Sequence, residues 1–515
     1  MPASNISKGV LSVGMWTITR VIASILATPF ISRALGPDGY GLYAYYLSVL
    51  FLAAPLANVG TLQALSRYIA EHPDPDRRAR IALMSGLMCL GGIVVVGTLT
   101  ACILAPGIPA DHGWPLLVTL LACLSFDVLW FYARGILYGL HREELAGVAG
   151  AIAAVLTSCI SAVLAVNGFG IMGVFIGLLL GNAFMAFRTL FAARRLLPHA
   201  TLRDALTSTD PTPRELIAFT LKTMMYASLA MMLYRSGVVL VHHLTGENTP
   251  TGLFATALQM AEFVWVLVIA VEGVMLQSTA RPWREGRTEE ISALVSRVMR
   301  YVALVTGFLL TYVFVFAEEL LAIYFGPAFA GAAPVLRILI PGVFSFSLGR
   351  LLAPVLHAQG RVLTLAAVVG LATLLNAILA FLLVPSWGLG GAGLSTCLAY
   401  GTVLFPYVHL LRSSGVEPLR EFGLFRQLLL FVITGLVMAS TLFIPGGPFL
   451  HAATGGILGA VVFVMVMMRS RIMHVEELDT IMESLPSSLS GPGRSAFGMI
   501  RPFLRACEGG GNRDA

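Results

Sequence analysis

Long apolar segments recur along the chain and dominate its pattern of hydrophobic and polar positions. A helix needs about 20 apolar residues to cross a bilayer, and fourteen segments have this character. They cover residues 8–33, 41–64, 81–105, 115–138, 144–166, 170–193, 215–242, 251–276, 294–324, 333–357, 362–384, 389–411, 424–444 and 449–468. The pattern therefore predicts an all-α polytopic membrane protein with about fourteen transmembrane helices. The ninth segment continues past Glu318 and Glu319, and we expect it to end as an interfacial piece before Gly326.

Composition supports a membrane protein and leaves little room for a soluble domain. Of 515 residues, 57% are hydrophobic and 12% are charged, whereas soluble domains carry about 25% charged residues. The net charge of +6 does not indicate nucleic-acid binding, because the arginines cluster in the loops after even-numbered segments. Cytoplasmic loops carry such an excess, so both termini are predicted to be cytoplasmic.

Two short motifs occur twice in the chain. The sequence GLYA at residues 41–44 recurs as GLFA at 252–255, an offset of 211 residues. The glycine run at residues 168–174 recurs at 388–394, an offset of 220 residues. Similar offsets predict two six-helix halves in parallel orientation, a common transporter arrangement. The glycine runs resemble a dinucleotide-binding motif but lack its preceding strand, so we interpret them as tight external turns.

The repeats divide the chain into five predicted regions. These are an N-lobe at 1–196, a cytoplasmic linker at 197–214, a C-lobe at 215–412, two further helices at 413–468 and a cytoplasmic tail at 469–515.

Ionisable residues inside membrane helices are costly and usually face a cavity or a partner. Arg20 lies in the middle of the first segment, and Arg235 lies deep in the seventh, its counterpart in the second half. This pairing predicts a cationic central cavity. Arginine can bind phosphate oxygens through two parallel hydrogen bonds, so a pyrophosphate is a suitable ligand. Alternatively, Arg20 forms a structural ion pair with Asp127 of the fourth segment.

Other charged residues near the membrane allow two interpretations. Lys222, Arg134 and Arg350 lie within about two turns of the predicted cytoplasmic surface, where they either form a vestibule for anions or extend to the surface. Asp127 and Glu262 either bind a coupling cation or proton, or neutralise the arginines.

Neutral polar and aromatic residues in the segments allow two interpretations. Asn58, Asn182, Gln259 and Asn376 either bond sugars or bond neighbouring helices, and we favour the second. Tyr43, Tyr45 and Tyr46 are interpreted as part of an interfacial aromatic belt, with sugar stacking as the alternative.

The sequence does not resemble that of an enzyme. Every predicted external loop is short, and the largest contain only Asp111 and Glu247 as acids. The patterns of serine hydrolases, zinc proteases and phosphate-binding loops do not occur. No metal or cofactor is therefore predicted, and transport would be driven by an ion gradient or by the substrate gradient.

Residues 31–44, ISRALGPDGYGLYA, resemble the first external turn of the polysaccharide transporter family. These are the Wzx-type lipid-linked oligosaccharide flippases of the multidrug/oligosaccharidyl-lipid/polysaccharide superfamily. Residues 65–71 (LSRYIAE) and 135–142 (GILYGLHR) support the resemblance, as do the two glycine turns.

The resemblance implies a fold like that of the MATE and MurJ transporters. It also implies translocation of polyprenyl-pyrophosphate-linked oligosaccharides across a bacterial inner membrane for O-antigen, capsule or exopolysaccharide synthesis. Buried cations line the cavity in this family, and Arg20 matches that pattern, Arg235 less securely. Expected partners are the lipid-linked oligosaccharide, the bilayer, and the polysaccharide polymerase and export machinery, with the protein itself a monomer.

Two other functions remain open on the sequence. A cation-coupled multidrug antiporter of the same superfamily would have similar halves but would favour embedded carboxylates. A membrane-embedded glycan transferase would need catalytic acids in its external loops. A major-facilitator transporter is disfavoured because residues 71–78 (EHPDPDRR) lack its characteristic loop motif.

Overall fold

The computed structural model describes residues 3–108, 113–198 and 213–470, with only the backbone described for residues 3–18 and 213. Within these ranges the chain is helical and contains no strand. The all-α membrane fold predicted from the hydrophobic pattern is confirmed.

Fifteen α-helices are named here in chain order for the described residues. They are α1 (Ala3–Asn58), α2 (Thr61–Glu71), α3 (Pro75–Leu104), α4 (Gly113–Gly139), α5 (Glu143–Leu164), α6 (Gly170–Leu196), α7 (Pro213–Thr245), α8 (Asn248–Glu262), α9 (Trp265–Arg284), α10 (Thr288–Val315), α11 (Ala317–Tyr324), α12 (Ala333–Ala358), α13 (Val362–Arg412), α14 (Leu424–Ser440) and α15 (Pro448–Arg469).

Glycines with positive φ bend the longest helical stretches. Gly36 (φ 64°) interrupts α1, Gly168 (φ 86°) lies between α5 and α6, and Gly388 (φ 55°) interrupts α13. Glycine adopts this conformation without the steric penalty of a side chain. The turns predicted at both copies of the glycine run are therefore confirmed, and the predicted loop at residues 34–40 is reduced to a bend at Gly36.

The predicted count of fourteen membrane helices is not confirmed. Ten helical stretches of the described chain are long and apolar enough to cross a membrane, or eleven if α8 and α9, bent by 48°, form one span. Three of the ten stretches are 51 to 54 residues long and contain the glycine bends. Fourteen spans would require each of these three to be counted twice and α8 with α9 to form one further span.

The eighth predicted segment differs from the observed helices, whereas the ninth matches them. The eighth was predicted as one helix, but it breaks between Glu262 and Trp265, where the sequence contains neither glycine nor proline. The ninth behaves as expected, because α10 ends at Val315 and the separate helix α11 precedes Gly326.

The chain forms two compact units. Unit 1 comprises Met1–Gln259, Tyr324–Leu339 and Arg361–Val403, and unit 2 comprises Met260–Ile323, Ile340–Gly360 and Leu404–Ala515. Tyr46, Leu120 and Phe175 lie in a core of unit 1, and Phe463 lies in a core of unit 2. The units are defined by spatial contact and the predicted lobes by sequence repeat, so the five predicted regions remain a prediction.

Close packing of α5 and α6 within unit 1 depends on three glycines spaced four residues apart. Gly173, Gly177 and Gly181 lie on one face of α6, and a Cβ atom added at Gly177 would lie 2.5 Å from the backbone nitrogen of Ser161 on α5. Small residues let membrane helices approach this closely. The small-residue helix crossing predicted beside the glycine turn is confirmed.

Candidate functional site

One face of α4 combines charged and aromatic side chains. Asp127, Trp130, Arg134 and Tyr138 are spaced three or four residues apart, which places them on the same side of a helix. Arg134 Nη2 donates a hydrogen bond to the Tyr138 hydroxyl at 2.8 Å. Its guanidinium carbon lies 5.1 Å from the centre of the Trp130 ring and 4.7 Å from that of Tyr138. The aromatic rings thus hold Arg134 by cation–π interactions within the apolar stretch Gly113–Gly139.

Arg20 of α1 lies near this face of α4 in unit 1. Its charge interacts with both Asp127 and Arg134. The side chain of Arg20 is exposed rather than packed by the protein, whereas Asp127 is half-buried. The structure therefore brings together three of the predicted residues, two guanidinium groups and one carboxylate. We call Arg20, Asp127 and Arg134 the arginine cluster.

Arg235 occupies a second position in unit 1, in α7. Its guanidinium carbon lies 5.3 Å from the centre of the Phe51 ring, and its charge interacts with Tyr40 and Tyr43. Arg235 is thus surrounded by aromatic side chains of α1.

Lys222 and Glu262 lie on α7 and α8. Lys222 is exposed on α7, and Glu262 is the last residue of α8, directly before the break. Their predicted roles remain predictions.

Arg350 forms an ion pair within unit 2. Its Nε lies 2.6 Å from Oε1 of Glu272 and its Nη2 lies 3.1 Å from Oε2, a geometry with two parallel hydrogen bonds. The guanidinium carbon also lies 5.1 Å from the centre of the Trp265 ring. In this conformation Arg350 is bound to a carboxylate, whereas the sequence indicated an anion vestibule or a snorkelling side chain.

Sequence reasoning missed the aromatic partners of these arginines. Trp130 and Tyr138 each lie four residues from Arg134, so helical spacing alone could have indicated them. Phe51 and Trp265 are distant in sequence from Arg235 and Arg350, and no local pattern indicates those contacts.

Two of the neutral polar residues, Asn182 and Gln259, bond neighbouring helices as expected. Asn376 instead bonds a residue of the same helix, α13, beyond its bend at Gly388. Asn182 donates to the Cys123 carbonyl at 3.4 Å, Gln259 accepts from Tyr40 at 2.6 Å, and Asn376 accepts from Thr396 at 3.4 Å. Asn58 accepts from Thr61 across the break between α1 and α2.

The aromatic-belt interpretation of the tyrosines at the start of the second segment is wrong. Tyr45 is 3% exposed and Tyr46 is 0% exposed, and both belong to a hydrophobic core. Tyr45 also stacks on the His242 ring at 3.9 Å between ring centres. The tyrosines are packing residues because the second half of α1 is enclosed by other helices.

An apolar cavity of about 590 Å³ lies within unit 2 and is separate from the predicted site residues. Residues of α10, α12 and α14 line it, among them Leu310, Phe344 and Phe431. Its lining contains no charged side chain, so it does not resemble a pyrophosphate site.

Charged residues cluster in the loop between α9 and α10, one of the arginine-rich loops. Arg281 donates a hydrogen bond to Glu285 at 2.8 Å, and Arg287 also bonds Glu285. These two hydrogen bonds hold the pKa of the Glu285 carboxyl below its usual range. The pairs are exposed, so each adds little stability.

The two acids of the largest predicted external loops are Asp111 and Glu247. Asp111 lies outside the described residues, and Glu247 is exposed at the end of α7. In the described part of the chain, no three histidine, cysteine or acidic side chains lie together as a metal site would require.

Comparison with known proteins gives a family match over half of the chain. The model of the family described as polysaccharide biosynthesis protein matches residues 6–275. The lipid III flippase of Escherichia coli K12 is 25% identical over 130 residues, which are 24% of this chain and 31% of that protein. The uncharacterised membrane protein MJ1068 of Methanocaldococcus jannaschii is 23% identical over 175 residues, 34% of each protein. The chain thus matches about a third of the length of these relatives.

Solved structures similar to this chain share its fold. The lipid II flippase MurJ in an inward closed conformation has a TM-score of 0.64 and 15% identity, covering 90% of this chain and 100% of that one. An inward-facing multidrug resistance MATE transporter has a TM-score of 0.62 and 17% identity, covering 77% and 95%. A superfamily transporter from Pyrococcus furiosus, described as having a binding pocket of reverse polarity, has a TM-score of 0.58 and 17% identity, covering 79% and 95%. Because the family model matches residues 6–275, the chain belongs to the polysaccharide biosynthesis protein family, and it shares the fold of the MurJ and MATE transporter structures.

Proposed function

We propose that this protein is a flippase that moves polyprenyl-pyrophosphate-linked oligosaccharides across the bacterial inner membrane by alternating access. The observation that carries the proposal is the arginine cluster, in which Arg20 and Arg134 lie together beside Asp127. A charged residue inside a membrane helix is costly, so two arginines at one place indicate an anionic ligand.

The chemistry of the cluster suits a pyrophosphate. Each guanidinium can donate two parallel hydrogen bonds to phosphate oxygens, and it stays charged when partly removed from water. Trp130 and Tyr138 restrict Arg134 to one orientation, which lowers the entropy lost when a ligand binds. Arg235, beside Phe51, supplies a further cation in the same unit.

Similar proteins support a lipid-linked substrate. Two of them are named flippases, of lipid II and of lipid III, and the family is described as one of polysaccharide biosynthesis. We assign the glycan to a repeat unit of O-antigen, capsule or exopolysaccharide.

The remaining features of the proposal come from the sequence. Both termini are placed in the cytoplasm, and the repeats form an N-lobe (1–196) and a C-lobe (215–412). Coupling to an ion gradient would use Asp127 or Glu262. The protein acts as a monomer and passes its product to the polysaccharide polymerase and export machinery.

Lysine substitutions test the pyrophosphate role, because lysine keeps the charge but cannot donate two parallel hydrogen bonds. We expect Arg20→Lys and Arg134→Lys each to lower surface polysaccharide about tenfold or more in a complemented deletion strain, since one lost charge-assisted bond costs about 1.5–3 kcal/mol. Lipid-linked oligosaccharide should accumulate inside the cell while protein levels stay normal.

Arg281→Lys serves as the matched control, because Arg281 is exposed in the last turn of α9. It should leave polysaccharide unchanged. Wild-type polymer from both cluster variants at normal protein levels would exclude the pyrophosphate role of the arginine cluster.

A cation-coupled multidrug antiporter is the second candidate function. Asp127 provides an embedded carboxylate, and MATE transporters share the fold. This function predicts that deletion leaves surface polysaccharide and lipid-linked intermediates unchanged but increases sensitivity to cationic drugs, and that Asp127→Asn reproduces the drug sensitivity.

A further inference from the structure

Two adjacent histidines lie near the end of α7. His242 and His243 are in the last turn of this helix, and both belong to unit 1. His243 is exposed, whereas His242 is half-buried. The arginine distribution predicts that this end of α7 faces the external side of the membrane. A proton from the external solution therefore has a short path to the pair.

His242 packs face to face on an aromatic ring of α1. The ring centres of His242 and Tyr45 are 3.9 Å apart, and the two ring planes differ by 21°. The Tyr45 hydroxyl also lies 3.3 Å from His243 Nε2, within hydrogen-bond distance. Both histidines thus hold one side chain that is only 3% exposed. We call these three side chains the histidine–tyrosine contact, which joins the end of α7 to α1.

The Nδ1 atom of His242 lacks a partner in the part of the chain that the structure describes. This nitrogen is buried, and no described residue forms a hydrogen bond with it. A neutral imidazole fits this arrangement when its one proton is on Nε2. An imidazolium carries a proton on each nitrogen, so its Nδ1–H would be buried without an acceptor. A buried donor left unpaired is unfavourable, and more so when it is charged.

The groups that face His242 do not compensate a positive charge there. The described side chains in ring contact with it are Tyr45 of α1 and His243 of α7, and neither is an anion at neutral pH. The His243 ring centre lies 5.6 Å away, so a proton on each ring would place two like charges together. The carbonyl end of a helix and a tyrosine ring both attract a cation, but neither accepts the Nδ1 hydrogen.

We propose that His242 is a proton-binding site that links the packing of α7 on α1 to the external pH. With a neutral ring, His242 stays stacked on Tyr45. When an external proton binds Nδ1, the charged ring leaves Tyr45 to reach water, and the histidine–tyrosine contact weakens. Histidine titrates between about pH 5 and 8, so a moderate fall in pH is sufficient. The site goes beyond the proposed function, which assigns coupling to Asp127 or Glu262.

Nuclear magnetic resonance of the histidine rings tests the site in the full-length wild-type protein. With ring-labelled histidine, the His242 resonance is identified by its loss in His242→Phe. Stacking on Tyr45 shifts this resonance through the ring current of the tyrosine. We expect the shift at about pH 7.5 and its loss by about pH 5.5, because histidine gains its proton in this range. A His242 ring that stays stacked at the lower pH would overturn the inference.

His242→Phe tests the consequence for transport, because phenylalanine can stack on Tyr45 but cannot bind a proton. We expect the rate at which surface polysaccharide appears to change about threefold or more between about pH 5.5 and 7.5 in wild type, and to stay constant in His242→Phe. His451→Phe is the matched control. It makes the same substitution on the predicted external side, where His451 Nε2 lies 2.9 Å from the Ile444 carbonyl oxygen, and it should keep the wild-type response to pH.

The outcomes separate this inference from the proposed substrate. A response to pH in His242→Phe equal to that of wild type, or no response in wild type, would overturn the coupling to external pH. If deletion of the gene leaves surface polysaccharide unchanged while the His242 ring still leaves Tyr45 at low pH, the proposed substrate fails and the proton-binding site stands.

Discussion

The arginine cluster shows how a few residues set the chemistry of an apolar helix. Within α4, positions three and four residues apart carry Asp127, Trp130, Arg134 and Tyr138, so one face is charged and aromatic while the helix as a whole remains apolar. Helical periodicity places these side chains together. The long-range partner, Arg20 of α1, completes the cluster by tertiary packing.

Asp127 is expected to act mainly as the counter-charge that lets the arginines fold. Asp127→Asn removes the carboxylate and leaves the charges of Arg20 and Arg134 without this counter-charge, which costs on the order of 1–3 kcal/mol. We expect the amount of folded protein in the membrane to fall, and Asp127→Glu to retain most of it. Immunoblotting of membranes measures both variants. Normal amounts of Asp127→Asn protein without transport would instead assign Asp127 to the transport step.

Helix packing at the level of elements follows the placement of small residues. The four-residue spacing of Gly173, Gly177 and Gly181 leaves a groove on α6 that α5 fills with Ser161 and Thr157. Membrane helices gain no hydrophobic driving force from meeting in lipid, so van der Waals contact at such faces stabilises the pair.

Gly177→Ala should destabilise this helix pair. The added Cβ would lie 2.5 Å from the Ser161 backbone nitrogen, and overpacking of this kind costs about 1–3 kcal/mol. We expect a lower apparent Tm of the purified protein in detergent, with Gly97→Ala unchanged or slightly raised. An unchanged Tm in Gly177→Ala would show that α5 and α6 separate without loss of stability.

Bends within helices also follow from the sequence at some positions and not at others. Gly36, Gly168 and Gly388 occur in glycine-rich turns between apolar segments, so the bends there were predictable. The break between α8 and α9 carries no such signal, because its residues, Phe263 and Val264, are neither glycine nor proline. The burial of Tyr45 and Tyr46 carries no local sequence signal either, which is why their assignment to the membrane surface was wrong.

At the scale of the whole molecule, two sequence features extend over the entire chain: the internal repeat and the distribution of arginines among the loops. The repeat supplies both Gly41 and Gly252, whose backbones pack against each other. The arginine-rich loops are predicted to lie on the cytoplasmic side of the membrane.

The predicted orientation can be measured by reporter fusions. A reporter that fluoresces only in the cytoplasm should be active when fused after Gly286 or after Arg469, because the arginine-rich loops are retained inside. A reporter active only in the periplasm should work after Gly246. The opposite pattern would contradict the predicted cytoplasmic location of both termini.

The sequence by itself determined the class of protein, the approximate helices, their turns and the family. These properties depend on local composition, periodicity and short motifs, which act within a few residues of one another. It also identified Arg20, Asp127 and Arg134 as notable, because a charge in an apolar segment stands out without a structure.

Only the tertiary structure decided which of these residues meet. It joined Arg20 to α4, paired Arg350 with Glu272, placed Phe51 beside Arg235 and brought Gly41 against Gly252. Such contacts join residues far apart in sequence, and they depend on how the helices pack. The hydropathy pattern indicates which residues lie within the membrane. Which neighbouring helix each face of a helix contacts is decided by tertiary packing.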